Sequence, residues 1–200
     1  MSHDHEDVNT YASLRTRAIE SLLIEKGLLS EAAVDVVVQA YGSDIGPLHG
    51  ARVVARAWTD PAFKARLLED ATTAARELDV GGFVSEYVRA VENTDAQHNL
   101  VVCTLCSCYP WGLLGLPPAW YKSPEYRSRA VREPRAVLRE FGVDLAPETE
   151  IRIWDSSSDL RYIVLPQRPE GTDDLAEDEL AALVTRESMI GTGLARSPAA

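Results

Sequence analysis

The chain has 200 residues, of which 46% are hydrophobic and 26% charged, and its formal net charge is -11 at pH 7. This composition is typical of one globular domain with or without an appendage, and the negative charge argues against a nucleic-acid partner. The N-terminal sequence lacks the basic-then-apolar layout of a signal peptide, and no apolar run approaches membrane-spanning length. We therefore expect a soluble cytoplasmic protein that associates with neither nucleic acid nor a membrane.

The first 80 residues have a helical pattern. Apolar residues recur at one-turn spacing from Leu14 to Leu22, which predicts an amphipathic helix. Ser30 predicts the N-cap of a second helix, and the pair Asp60-Pro61 predicts the start of another, because proline is favoured at the first helical position. We therefore predict a helical N-terminal region over residues 1–80.

After residue 80 the pattern changes to short strands mixed with helices. Four β-rich runs predict strands: Val88–Val91, Leu100–Val102, Ile151–Trp154 and Arg161–Leu165. The last two are joined by a polar segment, so we expect them to form a hairpin or a neighbouring pair. A final helix is predicted over Ala176–Met189, followed by a loose tail. The predicted fold class is α+β, a helical N-terminal arm followed by a mixed α/β catalytic domain over residues 81–200.

All three cysteines lie within six consecutive positions, in "CTLCSC" from Cys103 to Cys108. An odd number of thiols in one segment does not resemble a disulfide framework, which usually pairs distant segments. The segment follows a predicted strand directly. We therefore predict a metal-binding loop over residues 102–109.

The spacing of these cysteines allows a set of donors that differs from a tetrahedral site. Cys106, Cys108 and the backbone nitrogens of Ser107 and Cys108 can close small chelate rings around one metal, with Cys103 as an axial ligand. Such donors favour a trivalent ion, Co(III) or Fe(III), and leave one position open, and the thiolates beside it are prone to oxidation. Two alternatives remain open, a redox dithiol and a structural zinc site that recruits His98 as a fourth ligand. If the loop fills five positions by itself, His98 is instead a hydrogen-bonded loop histidine.

Several longer segments of the chain are recognisable together with the cysteine motif. They are "VCTLCSCYPW", "LGLPPAWYKSPEYRSRAVREPRAVL", "IRIWDSSSDLRYIVLPQRPEGT", "LVTRESMIGTG" and "GPLHGARVVARAWTDPAFKARLL". They closely resemble the alpha subunit of cobalt-type nitrile hydratases, and the resemblance covers nearly the whole chain. In that family "CTLCSC" marks the cobalt enzymes, whereas the iron enzymes typically have serine at the position of Thr104. The resemblance implies the nitrile hydratase alpha-subunit fold and one low-spin Co(III) per alpha subunit.

The resemblance also implies a role for each residue of the loop. Cys103 would be the unmodified axial thiolate, Cys106 a cysteine sulfinic acid and Cys108 a cysteine sulfenic acid. The backbone nitrogens of Ser107 and Cys108 would complete the metal's plane. The implied reaction is the hydration of a nitrile to an amide, a lyase reaction in which the nitrile carbon is attacked by the Cys108 sulfenate oxygen or by an activated water.

Residues around the loop are assigned supporting roles. Trp111 is expected to line the substrate pocket, and Thr104 and Glu86 are expected to support the metal loop from behind. Two positions depart from the family pattern. Gly112 stands where many relatives have proline, and Val84 stands where relatives commonly have a glutamine that contributes to a polar network. Both departures bear on which nitrile the protein accepts.

The resemblance further implies that this chain is half of an active site. In the family, two arginines of a separate beta subunit pair with the oxidised cysteines. We expect an αβ heterodimer or an α2β2 heterotetramer in which residues 1–80 contact the beta subunit, and a cobalt-loading accessory protein. Two alternatives belong to other classes. The metal subunit of thiocyanate hydrolase shares the loop but has arginine at the position of Trp111, and a non-enzymatic zinc-binding module would hold unmodified cysteines.

Overall fold

The structure of the protein is a computed structural model. It describes residues 5–40, 47–80 and 87–198. The described residues up to Ala40 form one compact unit, and those from residue 47 onward form a second, larger one. No helix in these ranges is both long enough and apolar enough to cross a membrane. The predicted division at residue 80, which concerns contact with a partner subunit, stays a prediction.

The first unit consists of two helices, α1 (His5–Glu25) and α2 (Glu31–Gln39). The predicted N-cap of α2 is confirmed, because the Ser30 hydroxyl accepts a hydrogen bond of 3.2 Å from the Ala33 N–H. The apolar stripe predicted on α1 is exposed, with Leu14 at 60% and Leu22 at 49% of full exposure. Apolar side chains of α1 are therefore not buried by the two helices of this unit.

The second unit alternates helices with four strands over its described residues. In chain order the elements are α3 (Leu48–Thr59), α4 (Pro61–Glu69), α5 (Ala71–Arg76), β1 (Tyr87–Glu92), β2 (Gln97–Val102), α6 (Trp111–Leu114), a 3₁₀ helix (Ala119–Lys122), α7 (Pro124–Arg132), α8 (Pro134–Glu140), β3 (Glu150–Asp155), β4 (Leu160–Leu165), α9 (Glu177–Leu183) and α10 (Arg186–Ile190). The predicted start of α4 is confirmed, because the Asp60 carboxylate accepts hydrogen bonds from the N–H groups of Ala62 and Phe63. The mixture of helix and strand confirms the predicted fold class.

The strands form two parallel pairs, β1 with β4 and β2 with β3. All four predicted strands are present, but the hairpin or neighbouring pair predicted for β3 and β4 is wrong, because each of them pairs with an earlier strand. Parallel pairing needs a crossover connection, and the helices α6, α7 and α8 supply it between β2 and β3. In the register of the second pair, Val102 lies opposite Asp155. The segments that leave β2 and β3 therefore start side by side at one edge.

The core of the second unit is built by these strands and the helices that pack against them. Its largest fully buried apolar side chains include Phe63, Leu67, Leu100, Leu138, Ile163, Leu180 and Met189. Because β1, β2 and β4 contribute buried residues to the same cluster as α3, α4 and α5, and β3 packs partly buried residues against it, the end of β2 is held by the core. The metal loop therefore starts from a rigid base.

The helix predicted over Ala176–Met189 is wrong in one respect, because it is two helices. Val184 is extended, and the Thr185 hydroxyl accepts a 3.0 Å hydrogen bond from the Ser188 N–H, which caps α10. The tail predicted as loose is also ordered at its start, since Gly191 and Thr192 are buried.

Candidate metal centre

The loop after β2 brings the three cysteine sulfurs together. The Sγ atoms of Cys103 and Cys106 lie 3.5 Å apart, those of Cys106 and Cys108 lie 3.2 Å apart, and all three fall within 4.8 Å of one another. Cys103 is buried, Cys106 is exposed and Cys108 is half-buried. The cluster is therefore fixed on the protein side and open on the other.

Backbone nitrogens of the loop also face this cluster. The Cys106 N–H donates to the Cys103 sulfur at 3.3 Å. The pKa of the Cys106 thiol is lowered to about 7, first by the Cys108 thiol, then by the Cys103 thiol and the Ser107 N–H, and in smaller measure by the Cys108 N–H. The N–H groups of Ser107 and Cys108 thus stabilise the Cys106 thiolate. The three sulfurs lie close enough to hold one metal ion, and the two backbone nitrogens stay predicted ligands.

The third thiol has the opposite electrostatic environment. Burial raises the pKa of Cys108 to about 12, and its hydrogen bond to Cys106 adds to the increase. The Arg161 guanidinium lies close enough to oppose this shift. In the metal-free loop Cys106 therefore loses its proton before Cys108, and the negative charge is shared through sulfur hydrogen bonds.

Asp155 anchors the first turn of the loop. Its carboxylate accepts hydrogen bonds from the Thr104 N–H at 2.9 Å and from the Thr104 hydroxyl at 2.5 Å. The parallel register explains this contact, because Asp155 ends β3 directly opposite the last residue of β2. Sequence reasoning did not assign Asp155, although a polar residue directly after a strand was an available signal.

Two donors hold backbone carbonyls further along the loop. The Tyr121 hydroxyl donates to the Cys108 carbonyl oxygen at 2.9 Å, and Arg127 Nη1 donates to the Cys106 carbonyl oxygen at 2.7 Å. Tyr121 lies in the 3₁₀ helix and Arg127 in α7. Neither residue was found from the sequence, because no spacing rule relates Tyr121 and Arg127 to loop residues 13 and 21 positions earlier.

The other residues singled out from the sequence either lie in α6, shortly after the cluster, or fall outside the described residues. Trp111 begins α6 three residues after Cys108 and is 38% exposed. Gly112 follows it in α6, and its carbonyl oxygen lies 3.1 Å from His49 Nδ1. The positions of Glu86 and Val84 lie outside the described residues, so their predicted roles stay predictions.

His98 lies away from the sulfur cluster. It is a buried residue of β2 rather than of a loop, and its Nε2 lies 2.7 Å from the Gly191 carbonyl oxygen. A carbonyl only accepts, so Nε2 carries the proton, and Nδ1 then accepts from the Asn93 side-chain amide at 3.3 Å. Both nitrogens are engaged, so His98 is not the fourth ligand that a zinc site would need.

Comparisons with known proteins agree with this arrangement. The sequence model of the family "Nitrile hydratase, alpha chain" matches residues 10–193. The chain is 56% identical over 190 residues to the low-molecular weight cobalt-containing nitrile hydratase subunit alpha of Rhodococcus rhodochrous, covering 95% of this chain and 92% of that protein. A solved Fe-type nitrile hydratase mutant of Comamonas testosteroni Ni1 matches with a TM-score of 0.86 and 41% identity, covering 95% of this chain and 93% of that one. Thiocyanate hydrolase subunit gamma of Thiobacillus thioparus is 44% identical, covering 94% of this chain and 82% of that protein.

Proposed function

Because this chain belongs to the nitrile hydratase alpha-chain family, we propose that it is the cobalt-bearing alpha subunit of a nitrile hydratase. It hydrates a nitrile to the corresponding amide. The observation that carries the proposal is the loop in which the three cysteine sulfurs lie within 4.8 Å of one another. The higher identity to cobalt-containing nitrile hydratase alpha subunits favours nitriles over thiocyanate as substrate.

The loop would hold one Co(III) per alpha subunit through five donors. Cys103, Cys106 and Cys108 supply sulfur, and the backbone nitrogens of Ser107 and Cys108 supply the rest. Cys103 would hold the metal as an unmodified thiolate, in keeping with its complete burial. Dioxygen would oxidise Cys106 to the sulfinic acid and Cys108 to the sulfenic acid.

Hydration requires a polarised nitrile and a nucleophile beside its carbon. When bound, Co(III) supplies a Lewis acid that withdraws charge from the carbon–nitrogen triple bond. Cys108, as the sulfenate, supplies the nucleophile or the base that activates a water, and the elements of one water are added to the nitrile. Trp111 is partly exposed close to the loop and forms an apolar wall of the pocket. Thr104, held by Asp155, keeps the loop in place, and Glu86 supports the same loop.

The chain works with a beta subunit, in an αβ heterodimer or an α2β2 heterotetramer. Oxidised cysteines carry anionic oxygens that need hydrogen-bond donors, and the exposure of Cys106 leaves it accessible to donors of a partner subunit. Residues 1–80 contact the beta subunit, in keeping with the exposed Leu14 and Leu22 of α1. An accessory protein loads the cobalt, and the assembly is cytoplasmic.

The test is metal analysis, intact mass and turnover of the chain co-expressed with its beta subunit. We expect cobalt at one equivalent per alpha subunit, oxygen added to Cys106 and Cys108, and amide formed from small aliphatic or aromatic nitriles. Cys108→Ser should abolish cobalt retention, whereas Ser107→Ala should keep it, because the proposed ligand is the backbone nitrogen. Zinc with unmodified cysteines would overturn the proposal, and turnover of thiocyanate alone would favour a thiocyanate hydrolase.

A further inference from the structure

One of the two peptide groups that carry a proposed ligand nitrogen is held from its oxygen side by a cation. Arg127 Nη1 donates to the Cys106 carbonyl oxygen at 2.7 Å. That oxygen and the Ser107 nitrogen belong to the same planar amide, so fixing the oxygen fixes the direction of the nitrogen. Ser107 stands between Cys106 and Cys108, whose sulfurs lie 3.2 Å apart, so its nitrogen belongs to the turn that brings these two sulfurs together. Arg127 therefore acts on the orientation of a ligand atom without touching the metal.

The guanidinium of Arg127 is distinct from the other arginines of its helix. Arg129 is paired with Glu133 and Glu140, and Arg132 donates to Ser128 one turn earlier. By contrast, the Nε of Arg127 is buried and has no hydrogen-bond partner in the described ranges. Arg127 also forms no ion pair with a carboxylate among the described residues. Its positive charge is thus directed at the loop.

We propose that Arg127 is a positioning residue of the metal centre, which orients the Ser107 nitrogen toward the metal and stabilises the Cys106–Ser107 peptide as a ligand. A metal-bound peptide nitrogen shares negative charge with its carbonyl oxygen, and a charge-assisted hydrogen bond at that oxygen is stronger than a neutral one. The inference rests on the proposed function, since it concerns the same ligand set.

Tyr121 offers an internal contrast. It also holds a loop carbonyl, but the Cys108 carbonyl shares its amide with the nitrogen of Tyr109, which is not a proposed ligand. Its hydroxyl is also neutral. The structure therefore assigns control of a ligand nitrogen to Arg127 and only anchoring of the chain to Tyr121.

The experiment compares Arg127→Met and Arg127→Lys in the complex co-expressed with the beta subunit and cobalt. Arg132→Met is the matched control, because it removes an arginine of the same helix whose hydrogen bonds among the described residues go only to Ser128. Three quantities are measured: cobalt per alpha subunit, the rate of cobalt loss to EDTA, and the visible absorption of the cobalt–thiolate centre. We expect Arg127→Met to lose cobalt at least about tenfold faster with a displaced absorption band. Arg127→Lys should fall between it and the wild type, and Arg132→Met should match the wild type.

Each result decides a separate statement. A wild-type complex that contains zinc and unmodified cysteines overturns the proposed function, and this inference with it. A cobalt-containing wild type whose Arg127→Met variant keeps the same cobalt, loss rate and spectrum overturns the inference alone. Circular dichroism and the unfolding midpoint of the metal-free chains show whether the variants are folded. If Arg127→Met yields no soluble complex, Arg127→Lys is judged against Arg132→Lys by the same three quantities.

Discussion

The two ends of β2 satisfy their polar groups in opposite ways. At its start, His98 and Asn99 are buried and bond to groups elsewhere in the same chain. At its end, the thiols of the metal loop bond mainly to one another. Buried polar groups normally have full partners, and the first region follows that rule. The second leaves donors converging on a shared centre, which is the arrangement expected of a ligand site.

The network at the start of β2 is closed by side-chain amides. Asn93 Oδ1 accepts from the backbone N–H of Asn99 at 2.7 Å and from the Asn99 side-chain amide at 3.0 Å. Asn99 Oδ1 accepts from Gln97 Nε2 at 2.9 Å and from Trp154 Nε1 at 2.8 Å. Such a network fixes the start of β2, so the metal loop at the other end of β2 is attached to a rigid strand.

The largest expected effect comes from a steric overlap in the hydrogen-bonded network at the start of β2. Gly191 has a φ of +91°, and a Cβ placed on it would lie 1.9 Å from the Asn99 carbonyl oxygen. We expect Gly191→Ala to lower the free energy of unfolding by more than about 4 kcal/mol, measured by urea denaturation. Gly142→Ala is the control, since Gly142 has a φ of +84° but nothing within 4 Å of its Cβ position. It should cost about 1–2 kcal/mol, from backbone strain alone. Equal costs at the two sites would contradict the packing explanation.

A smaller effect is expected when the metal loop at the end of β2 loses the contact between Asp155 and Thr104. Asp155→Ala removes both acceptors of Thr104, so the first turn of the loop becomes free to move. We expect a loss of about 2 kcal/mol or less in the free energy of unfolding, since both residues are exposed, and a several-fold faster loss of cobalt from the complex. Asp159→Ala, in the polar segment after β3, should leave both quantities near the wild-type values. If cobalt loss is unchanged in Asp155→Ala, the anchor is not needed by the loop.

The buried His98 at the start of β2 should also make the free energy of unfolding depend on pH. Burial lowers the pKa of His98 below the usual 6.5, so the folded state binds this proton more weakly than the unfolded chain does. The contribution of His98 is therefore complete above pH 6.5 and is lost as pH falls below it toward the folded-state pKa. The slope cannot exceed about 1.4 kcal/mol per pH unit for one proton.

Urea denaturation of the wild type and His98→Gln at pH 7.5, 6.5 and 5.5 measures this contribution. Carboxyl groups with lowered pKa, such as those of Asp60 and Asp70, lose stability in the same direction in both proteins. Only the difference between the two slopes reports on His98. The wild type should lose more stability on acidification than the variant, and parallel curves would contradict the prediction.

For the metal loop, the sequence predicts the metal donors but not the residues that hold the loop in place. Three cysteines in six positions and their chelate rings indicate the ligand set because that information is local. Asp155 and Arg127 reach the loop through strand register and helix placement, which depend on the whole fold. Local spacing does not encode those contacts, and the family resemblance as read from the motif did not assign them.

The strands and helices show the same division. Helix starts at Asp60 and Ser30 were predicted correctly, because a capping side chain and its acceptor role lie within one turn. The pairing of β3 with β2 was not predicted. A hydrophobic pattern and a short polar link do not distinguish a hairpin from two parallel pairs. The break at Val184 was missed because Thr185 was not recognised as a cap inside an apolar run.

The smallest expected effect separates a hydroxyl that is used from one that is not. Tyr121 and Tyr109 are both buried, and their ring centroids lie 5.1 Å apart in edge-on contact. Tyr121 donates to the Cys108 carbonyl, whereas the Tyr109 hydroxyl has no hydrogen-bond partner among the described residues. Tyr121→Phe should therefore lower the free energy of unfolding by about 1 kcal/mol, because a carbonyl loses its donor.

Tyr109→Phe is the matched control for Tyr121→Phe, since it removes the same atom from the same aromatic pair. It should be neutral or stabilising, because a buried hydroxyl without a partner carries an uncompensated desolvation cost. Thermal and urea denaturation of the metal-free chain measures both. A loss in Tyr109→Phe equal to that in Tyr121→Phe would mean that ring packing near the loop, rather than the bond to the Cys108 carbonyl, sets the cost. The loop would then be held by shape at this point, and its carbonyl bonds would matter only on the Arg127 side.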